Sequence, residues 1–317
     1  MHAIRLHAFG PAENLAYESV DDPHPAPGQV RIAVRASGVH LLDTSLRRGV
    51  QGPAPTPTTL PTIPGREVAG TVESLGEGVD DTWLGRRVVA HLGFVPGGYA
   101  ELAVTDVTRL HEIPDPLDEA QAVAMIGTGR TALGILQFAT LTPDSIVIVP
   151  AAAGGLGTLL VQYAKHRGAT VVALAGGPDK TAQARANGAD LSLDYTTPDW
   201  PHHLRTFLGD RPATLVLDGV GGEPARESTA LLSPTGQHLI FGWSSGTPHE
   251  TVPLSHHVLG PTMYAKTPLR TLESQALTEA ASGNLTPAVH RFPLTDAAAA
   301  HRALESRRTT GKVVLEP

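Results

Sequence analysis

The stretch 145–175 restricts the fold of this chain more than any other part of the sequence. A short apolar run at 145–149 leads into a glycine-rich turn at 150–157. A helical pattern at 156–168 and a second apolar run at 169–175 follow. Two apolar runs joined by a glycine turn and a helix are typical of a βαβ unit, whose parallel strands are covered on both faces. The sequence therefore predicts a parallel sheet here.

The glycine turn of this unit predicts a dinucleotide site. Gly154 and Gly157 match the last two glycines of the pattern G-x-G-x-x-G, and Ala152 takes the first position. In that pattern the glycines let the backbone approach a pyrophosphate at a helix N-terminus and let the helix pack on the strand. A turn that serves packing alone is the alternative. We predict that the pyrophosphate is bound by Ala153, Gly154, Gly155, Leu156 and Gly157.

The end of the second strand indicates which dinucleotide is bound. An NAD site has an acidic residue about 20 residues after the glycine turn, where it binds the ribose 2′-hydroxyl. This chain has AGGP at 175–178 instead, with Lys180 close behind, and Tyr195 follows the third predicted strand. A missing carboxylate beside a cation favours a 2′-phosphate, although Lys180 could also be a solvated lysine at a helix start. We predict NADPH as the cofactor, bound here by Gly176, Lys180 and Tyr195.

The rest of the chain divides into two kinds of sequence. Residues 1–118 contain short alternating segments, such as 29–39 and 67–75, with frequent glycine and proline, which predicts a β-rich module. From about residue 120, apolar strands alternate with helices, as in a doubly wound parallel sheet. The last helix and strand, at 295–305 and 311–315, have no parallel partner nearby in the sequence. We therefore predict that they return to the β-rich module.

The composition excludes several functions. The chain of 317 residues has no cysteine, so it has no disulfide, thiolate metal site or cysteine nucleophile. Its net charge is −7 and no basic run occurs, which argues against a nucleic-acid or membrane partner. The first residues show no signal-peptide pattern, and no apolar stretch is long enough to span a membrane. We predict a soluble, cytoplasmic protein.

Stretches along almost the whole chain resemble the zinc-independent quinone oxidoreductases of the medium-chain dehydrogenase/reductase superfamily. In chain order they are RASGVHLLDTSLRRG (35–49), IPGREVAGTVESLGEGV (63–79), GGYAE (97–101), GTGRTAL (127–133), the AAAGGLG turn, GADLSLDY (188–195) and LESRRTTGKVVLEP (304–317). Enzymes of this family are commonly homodimers that use NADPH to reduce quinones or activated alkenes. The resemblance therefore implies a small-molecule quinone or enone substrate and a homodimer.

The resemblance also implies the domain organisation. We expect an α/β fold, with a Rossmann doubly wound parallel sheet and a GroES-like β-rich catalytic domain, and an active site in the cleft between them. Residues 1–119 would form the N-terminal part of the catalytic domain, and residues 120–263 the Rossmann domain. Residues 264–317 would be a C-terminal segment that returns to the catalytic domain.

The same resemblance argues against a catalytic zinc ion. Zinc-dependent relatives hold the ion with cysteine and histidine in the first domain, a following glutamate, and a cysteine near the domain junction. Those positions here hold His40, Arg66 with Glu67 next, and the stretch 125–127. Arginine does not ligate zinc and the chain has no thiolate, so we predict no metal site.

Without zinc, side chains must stabilise the negative charge that grows on the acceptor oxygen after hydride transfer. By resemblance, the candidate catalytic residues are His40, Asp43, Ser45 and Thr131, with Arg47 close by, and the nicotinamide ring lies beside Phe241, Gly242 and Trp243. Many bacterial members have Asn in place of His40 and Tyr in place of Ser45. His40 would then either donate a proton or, as a neutral side chain, hydrogen-bond the cofactor or backbone as Asn does. Asp43 would be structural or hold the nicotinamide ribose.

The sequence therefore predicts an NADPH-dependent, zinc-free oxidoreductase that transfers hydride to a quinone. One alternative is an enoyl or alkenal reductase of a biosynthetic pathway, which would reduce an α,β-unsaturated carbonyl compound. Another is a non-catalytic NADPH-binding or RNA-associated protein, because the family includes a lens crystallin and members reported to bind RNA. Aromatic residues make up 4% of the chain, so bases would find few side chains to stack on.

Overall fold

A computed structural model describes residues 1–50, 57–247, 252–253 and 255–317. The strands are β1 (His2–Leu6), β2 (Leu15–Ser19), β3 (Gln29–Val39), β4 (Glu67–Leu75), β5 (Arg87–His91), β6 (Leu102–Asp106), β7 (Leu110–Glu112), β8 (Ile146–Pro150), β9 (Thr170–Ala175), β10 (Leu191–Asp194), β11 (Ala213–Asp218), β12 (Leu232–Ile240), β13 (Ser255–His257), β14 (Val289–Pro293) and β15 (Lys312–Glu316). The helices are α1 (Leu41–Arg47), α2 (Glu119–Ala124), α3 (Arg130–Leu136), α4 (Gly155–His166), α5 (Pro178–Ala186), α6 (Trp200–Leu208), α7 (Gly222–Thr229), α8 (Pro261–Lys266), α9 (Leu269–Ala281) and α10 (Ala297–Glu305). Within these ranges no helix is long and apolar enough to cross a membrane.

Two compact units account for these elements. Unit 1 consists of Met1–Thr128 and Ala288–Pro317, and unit 2 of Gly129–Pro287. Unit 1 contains a seven-stranded sheet in the order β14-β15-β3-β4-β5-β7, and β6 also pairs with β3. The alternation of β3 and β4 places Val30, Ile32, Val68 and Val72 in one buried cluster. The two strands predicted at 29–39 and 67–75 are thus confirmed.

The last strand of the chain belongs to unit 1. β15 runs antiparallel to β3, where Val313 pairs with Val39. β14 runs parallel to β15, so the prediction that the last strand has no parallel partner nearby is wrong. The sequence of β14, VHRFP, is mostly polar and partly exposed, and it therefore lacks the apolar run that marks a buried strand.

Unit 2 contains a six-stranded parallel sheet in the order β10-β9-β8-β11-β12-β13. The direction in which the chain moves across the sheet reverses between β8 and β11, and ligands of such sheets bind beyond the carboxyl ends of the strands at this point. Trp200, Leu204 and Leu208 of α6 pack in one cluster with Ile148 and Leu174 of the sheet. No helix was predicted at α6, although its apolar residues recur at helical spacing.

The two unit boundaries differ from the sequence prediction. At the first, α2 packs on β3 and β4, so unit 1 continues to Thr128 and not to 119. At the second, α8 and α9 belong to unit 2, and the return to unit 1 begins at Ala288 and not at 264. A Cβ on Gly134 of α3 would lie 2.3 Å from Met263 Sδ, which shows how closely α8 approaches.

A buried ion pair also holds α9 in unit 2. Arg130 Nη1 donates to Glu273 Oε1 over 2.6 Å, and both residues are buried. Removing one partner of a buried ion pair leaves the other charge without compensation, which is far more costly than losing an exposed pair. This contact joins the first residue of α3 to the middle of α9 and could not be foreseen from local patterns.

We expect Glu273→Ala to lower the free energy of unfolding by about 3–5 kcal/mol, because Arg130 would remain buried and unpaired. Glu227→Ala is the matched control, since it removes the partner of the half-exposed Arg205 in the same unit and should cost about 0–1 kcal/mol. Urea denaturation measures both. Equal losses of unfolding free energy in the two variants would contradict the conclusion that a buried ion pair holds α9 in unit 2.

Candidate functional site

The predicted pyrophosphate loop lies between β8 and α4 of unit 2. Gly154 is the residue before the helix, and α4 begins at Gly155. The first N–H groups of a helix have no partner within the helix, and they carry the positive end of its dipole. The N–H groups of Gly155, Leu156 and Gly157 therefore suit an anion, whereas the Gly154 N–H donates to the Ala151 carbonyl over 3.0 Å.

The two glycines of the fingerprint serve different purposes. A Cβ on Gly157 would lie 2.3 Å from the Ala151 carbonyl oxygen and 2.7 Å from Ala152 Cα, so this glycine allows the helix to pack on the loop. A Cβ on Gly154 would meet one atom of the described residues, the same Ala151 oxygen, at 3.3 Å. Packing restricts position 154 less than position 157, and a pyrophosphate close to the backbone would be a further reason for glycine there. The loop therefore fits a dinucleotide.

The residues predicted to bind the 2′-phosphate lie at the ends of β9 and β10. Gly176 follows β9, and a Cβ there would lie 3.3 Å from the Tyr195 hydroxyl oxygen, so the ring rests against this glycine. The Tyr195 N–H donates to the Ala175 carbonyl over 3.1 Å. Lys180 lies in the first turn of α5. The fold thus gathers Gly176, Lys180 and Tyr195 at one edge of the sheet.

One carboxylate lies at the same edge. Asp194 Oδ1 accepts hydrogen bonds from the N–H groups of Gly177 and Thr196, each over 2.9 Å. Hydrogen bonds from Thr196 and Gly177 lower the pKa of Asp194, so it is ionised at neutral pH. By accepting from the Gly177 N–H, the Asp194 carboxylate fixes the turn after β9.

The residues predicted to lie beside the nicotinamide follow β12. A Cβ on Gly219 would lie 2.6 Å from the Phe241 ring, and a Cβ on Gly242 would lie 2.9 Å from the Gly219 carbonyl oxygen. Two glycines thus let the loops after β11 and β12 pack together. Trp243 is 66% exposed, and Thr131 lies in the first turn of α3.

In unit 1, His40 belongs to a buried ionic cluster, here called the Glu67 cluster (His40, Glu67 and Lys312). His40 Nε2 lies 2.6 Å from Glu67 Oε1, and Lys312 Nζ lies 2.8 Å from Glu67 Oε2 and 2.7 Å from His40 Nε2. Glu67 is fully buried, whereas the His40 side chain is 30% exposed. Burial alone would raise the pKa of Glu67, but the charges of His40 and Lys312 outweigh it and hold this pKa well below its usual value.

Glycines provide the space for the Glu67 carboxylate. A Cβ on Gly38 would lie 2.3 Å from Oε2, and a Cβ on Gly127 would lie 1.6 Å from Oε1. Gly127 lies in a π-helical turn, Met125–Gly129, of a kind that often occurs at functional sites. Positions 38 and 127 therefore exclude every side chain while this carboxylate is buried between them.

A second network fixes the backbone at His40. Asp43 Oδ2 accepts from the His40 N–H over 2.8 Å and from the Tyr99 hydroxyl over 3.1 Å. The Tyr99 oxygen also lies 3.2 Å from His301 Nε2. Burial and then Asp43 raise the pKa of Tyr99 well above its usual value, and burial lowers the pKa of His301 to about 4. Tyr99 and His301 are therefore neutral at pH 7. Because Asp43 accepts from the His40 N–H, it positions His40.

Comparisons with known proteins agree with this geometry. Family models described as the alcohol dehydrogenase GroES-like domain and as zinc-binding dehydrogenase match residues 26–115 and 155–271. A quinone oxidoreductase of Pseudomonas aeruginosa is 33% identical over 99% of both chains. This chain belongs to the quinone oxidoreductase family of the medium-chain dehydrogenase/reductase superfamily. The family and the fold class predicted from the sequence are therefore confirmed.

Two further relatives bear on the chemistry of this oxidoreductase. A 2-haloacrylate reductase of a Burkholderia species is 32% identical over 99% of this chain and 98% of its own. The crystal structure of Escherichia coli quinone oxidoreductase complexed with NADPH has a TM-score of 0.85 and 28% identity over the whole of both chains.

One matching family model is described as zinc-binding, but the donors near Glu67 do not suit a cation. The Lys312 ammonium lies 2.8 Å from this carboxylate and would repel a metal ion there. The residues that the structure describes contain no group of three His, Cys, Asp or Glu side chains able to hold a metal.

Sequence reasoning missed three members of these networks. It identified His40 and Asp43, but not Lys312, Tyr99 or His301. One signal was available, because Lys312 is the single cation at the start of the otherwise apolar strand KVVL. Ser45 was identified as well, and its hydroxyl accepts a long hydrogen bond from Arg48 Nη2, over 3.4 Å.

We expect Lys180→Ala to weaken NADPH binding about tenfold or more and NADH binding much less, because a charge-assisted hydrogen bond to the 2′-phosphate is lost. Arg185→Ala removes an exposed cation from the last turn of the same helix and serves as the control. Titration of protein fluorescence with each nucleotide measures the change. Equal losses for the two nucleotides would overturn the 2′-phosphate assignment.

The Glu67 cluster predicts a pH-dependent stability. The pKa of Glu67 is lower in the folded protein than its ordinary value of 4.5. Its stabilising effect is therefore complete above that pH and is lost as the pH falls through the folded-state pKa. We expect Glu67→Gln to cost about 3–5 kcal/mol at neutral pH. Below pH 4.5 the difference in free energy of unfolding between the variant and the unchanged protein should shrink by up to about 1.4 kcal/mol per pH unit. Denaturant unfolding across this pH range measures this difference. A difference that does not change with pH would contradict the prediction.

Proposed function

We propose that this oxidoreductase transfers hydride from NADPH to a quinone. The observation that carries the proposal is the glycine turn at 154–157, at the N-terminus of α4, in a member of a quinone oxidoreductase family. The NADPH bound by the related Escherichia coli enzyme supports the choice of cofactor. Unit 2 would bind the pyrophosphate at Ala153–Gly157, the 2′-phosphate at Lys180 and Tyr195, and the nicotinamide beside Thr131 and Phe241–Trp243.

The catalytic groups would come from unit 1. When bound, NADPH supplies a hydride from C4 of its nicotinamide ring. The acceptor then carries negative charge on oxygen and needs a proton. His40 suits this role, because its ring is partly exposed while Nε2 lies 2.6 Å from Glu67 Oε1, with which it forms an ion pair when protonated. The protonated ring would release one proton to the acceptor and become neutral.

The imidazole loses one proton in this step and regains it from water. Lys312 keeps its proton and pairs with Glu67 over 2.8 Å, Glu67 holds the His40 ring, and Asp43 holds the His40 backbone, so all three are positioning residues. The acceptor gains one hydride and one proton, and a quinone becomes a hydroquinone.

An α,β-unsaturated carbonyl compound is the second candidate acceptor. The relative named 2-haloacrylate reductase favours it, because a haloacrylate contains a conjugated alkene. The hydride would add to the β-carbon and His40 would protonate the resulting enolate. The resemblance to the family also supports our proposal of a homodimer that works in the cytoplasm.

Oxidation of NADPH and of NADH, each with 1,4-benzoquinone and with methyl vinyl ketone, tests the proposal. We expect turnover with NADPH, and the better acceptor decides between the two candidates. If NADPH raises the melting temperature but neither acceptor is reduced, the proposed reaction is wrong and the cofactor assignment stands. If NADPH does not bind, both are wrong.

We expect His40→Asn to lower kcat about a hundredfold or more, which is the usual effect of losing a general acid. NADPH binding should be unchanged, since the residues proposed to bind it are in unit 2. His7→Asn changes an exposed histidine of unit 1 and is the control. A kcat equal to that of the control would exclude proton donation by His40 without affecting the assignment of the cofactor.

A further inference from the structure

A cavity of about 400 Å³ lies within unit 1. Ligand sites have volumes of roughly 300–1,000 Å³, so it is large enough for a small organic molecule. Much of its wall is apolar, with contributions from Leu6, Phe9, Leu46, Val50, Phe94 and Pro96. Three of these side chains, Phe9, Val50 and Phe94, are more than two-fifths exposed, so apolar surface remains in contact with solvent here.

Two arginines give this cavity a cationic side. Arg47 and Arg66 both line it, and Arg47 is 3% exposed. Arg47 Nη1 and Arg66 Nε are buried, and the part of the chain that the structure describes offers neither a hydrogen-bond acceptor. An unsatisfied buried donor is costly, and for a charged group the cost is greater. The described residues therefore leave part of each guanidinium without an acceptor.

The charges around the cavity do not cancel. Asp43 is the acidic residue among the lining residues, and the arginines number two, so the described lining has a net charge of +1. Asp43 does not neutralise Arg66 by a hydrogen bond, because Oδ1 lies 3.9 Å from Arg66 Nη2. Its other oxygen accepts from His40 and Tyr99. Arg47 has a partner in Glu305 over 2.7 Å, which leaves Arg66 as the cation with the weaker internal pairing.

We propose that this cavity binds the acceptor through a carboxylate group held by Arg66. The guanidinium is planar and matches a carboxylate with two parallel N–H donors. The apolar wall would bind an apolar substituent of the same molecule. The proposal deepens and rests on the second candidate of the proposed function: the substrate is a conjugated carbonyl compound, not a quinone, that carries both a carboxylate and an apolar group. It gains a hydride at one alkene carbon and a proton at the other.

The test compares two substrates that differ in one charge, 3-benzoylacrylate and its methyl ester, each with NADPH. We expect the acid to have the larger kcat/KM, chiefly through a lower KM. Arg66→Gln should reduce the ratio of acid to ester kcat/KM by about tenfold to a hundredfold, as the loss of a charged hydrogen-bond pair predicts. Arg66→Lys keeps the charge but loses the two parallel N–H donors of the guanidinium, so it should give an intermediate ratio of acid to ester kcat/KM.

Arg86→Gln is the matched control, because it removes a half-exposed cation of unit 1 that does not line the cavity. It should leave the ratio unchanged. A similar fall in this variant would indicate a long-range charge effect, and a ratio near one in the unchanged protein would overturn the proposal.

Titration calorimetry with trans-cinnamate and trans-cinnamide tests the site without turnover. We expect the carboxylate to bind more tightly than the amide, and Arg66→Gln to abolish the difference. If 1,4-benzoquinone is reduced but the acid is not preferred in either experiment, the carboxylate site is wrong and the proposed function stands. If no acceptor is reduced yet cinnamate binds through Arg66, the site stands and the proposed reaction fails.

Discussion

The buried Glu67 carboxylate is the group on which the arrangement of unit 1 depends. An uncompensated charge in the interior costs several kcal/mol, so its two cations must be in place when the chain folds. His40 comes from the start of α1 and Lys312 from the last strand. Pairing of β15 with β3 brings Lys312 to this point and so joins the two ends of the chain. Gly38 and Gly127 leave the space that the carboxylate occupies.

The two units divide the work of the proposed reaction. In unit 2, the parallel sheet places the ends of β8, β9, β10 and β12 at one edge, where we propose that backbone N–H groups and a lysine bind the dinucleotide. In unit 1, an ammonium, an imidazole and a carboxylate lie within 2.8 Å of one another, and a cavity with two arginines is lined in part by Asp43. The ammonium compensates the charge of the buried carboxylate and repels a metal ion.

Local patterns predicted the regular parts of the fold well. β3 and β4 have the predicted bounds because strict alternation marks one buried face. The patterns were insufficient for β14, whose residues are mostly polar, and for the boundary at Ala288. α9 precedes that boundary and is held in unit 2 in part by the Arg130–Glu273 pair, which joins residues 143 positions apart. No window of sequence contains such a contact.

The sequence by itself determined the family, from stretches along almost the whole chain. It also determined the parallel sheet, the glycine turn and NADPH as the cofactor, because these three depend on residues within about one βαβ unit. It also identified His40 and Asp43 by resemblance. Only the tertiary structure decided what these residues contact: Lys312 and His40 are 272 positions apart, and Tyr99 and His301 are 202 apart. The structure also shows that Arg47 Nη1 and Arg66 Nε find no acceptor among the residues it describes, because whether a donor is satisfied depends on every segment that packs around it.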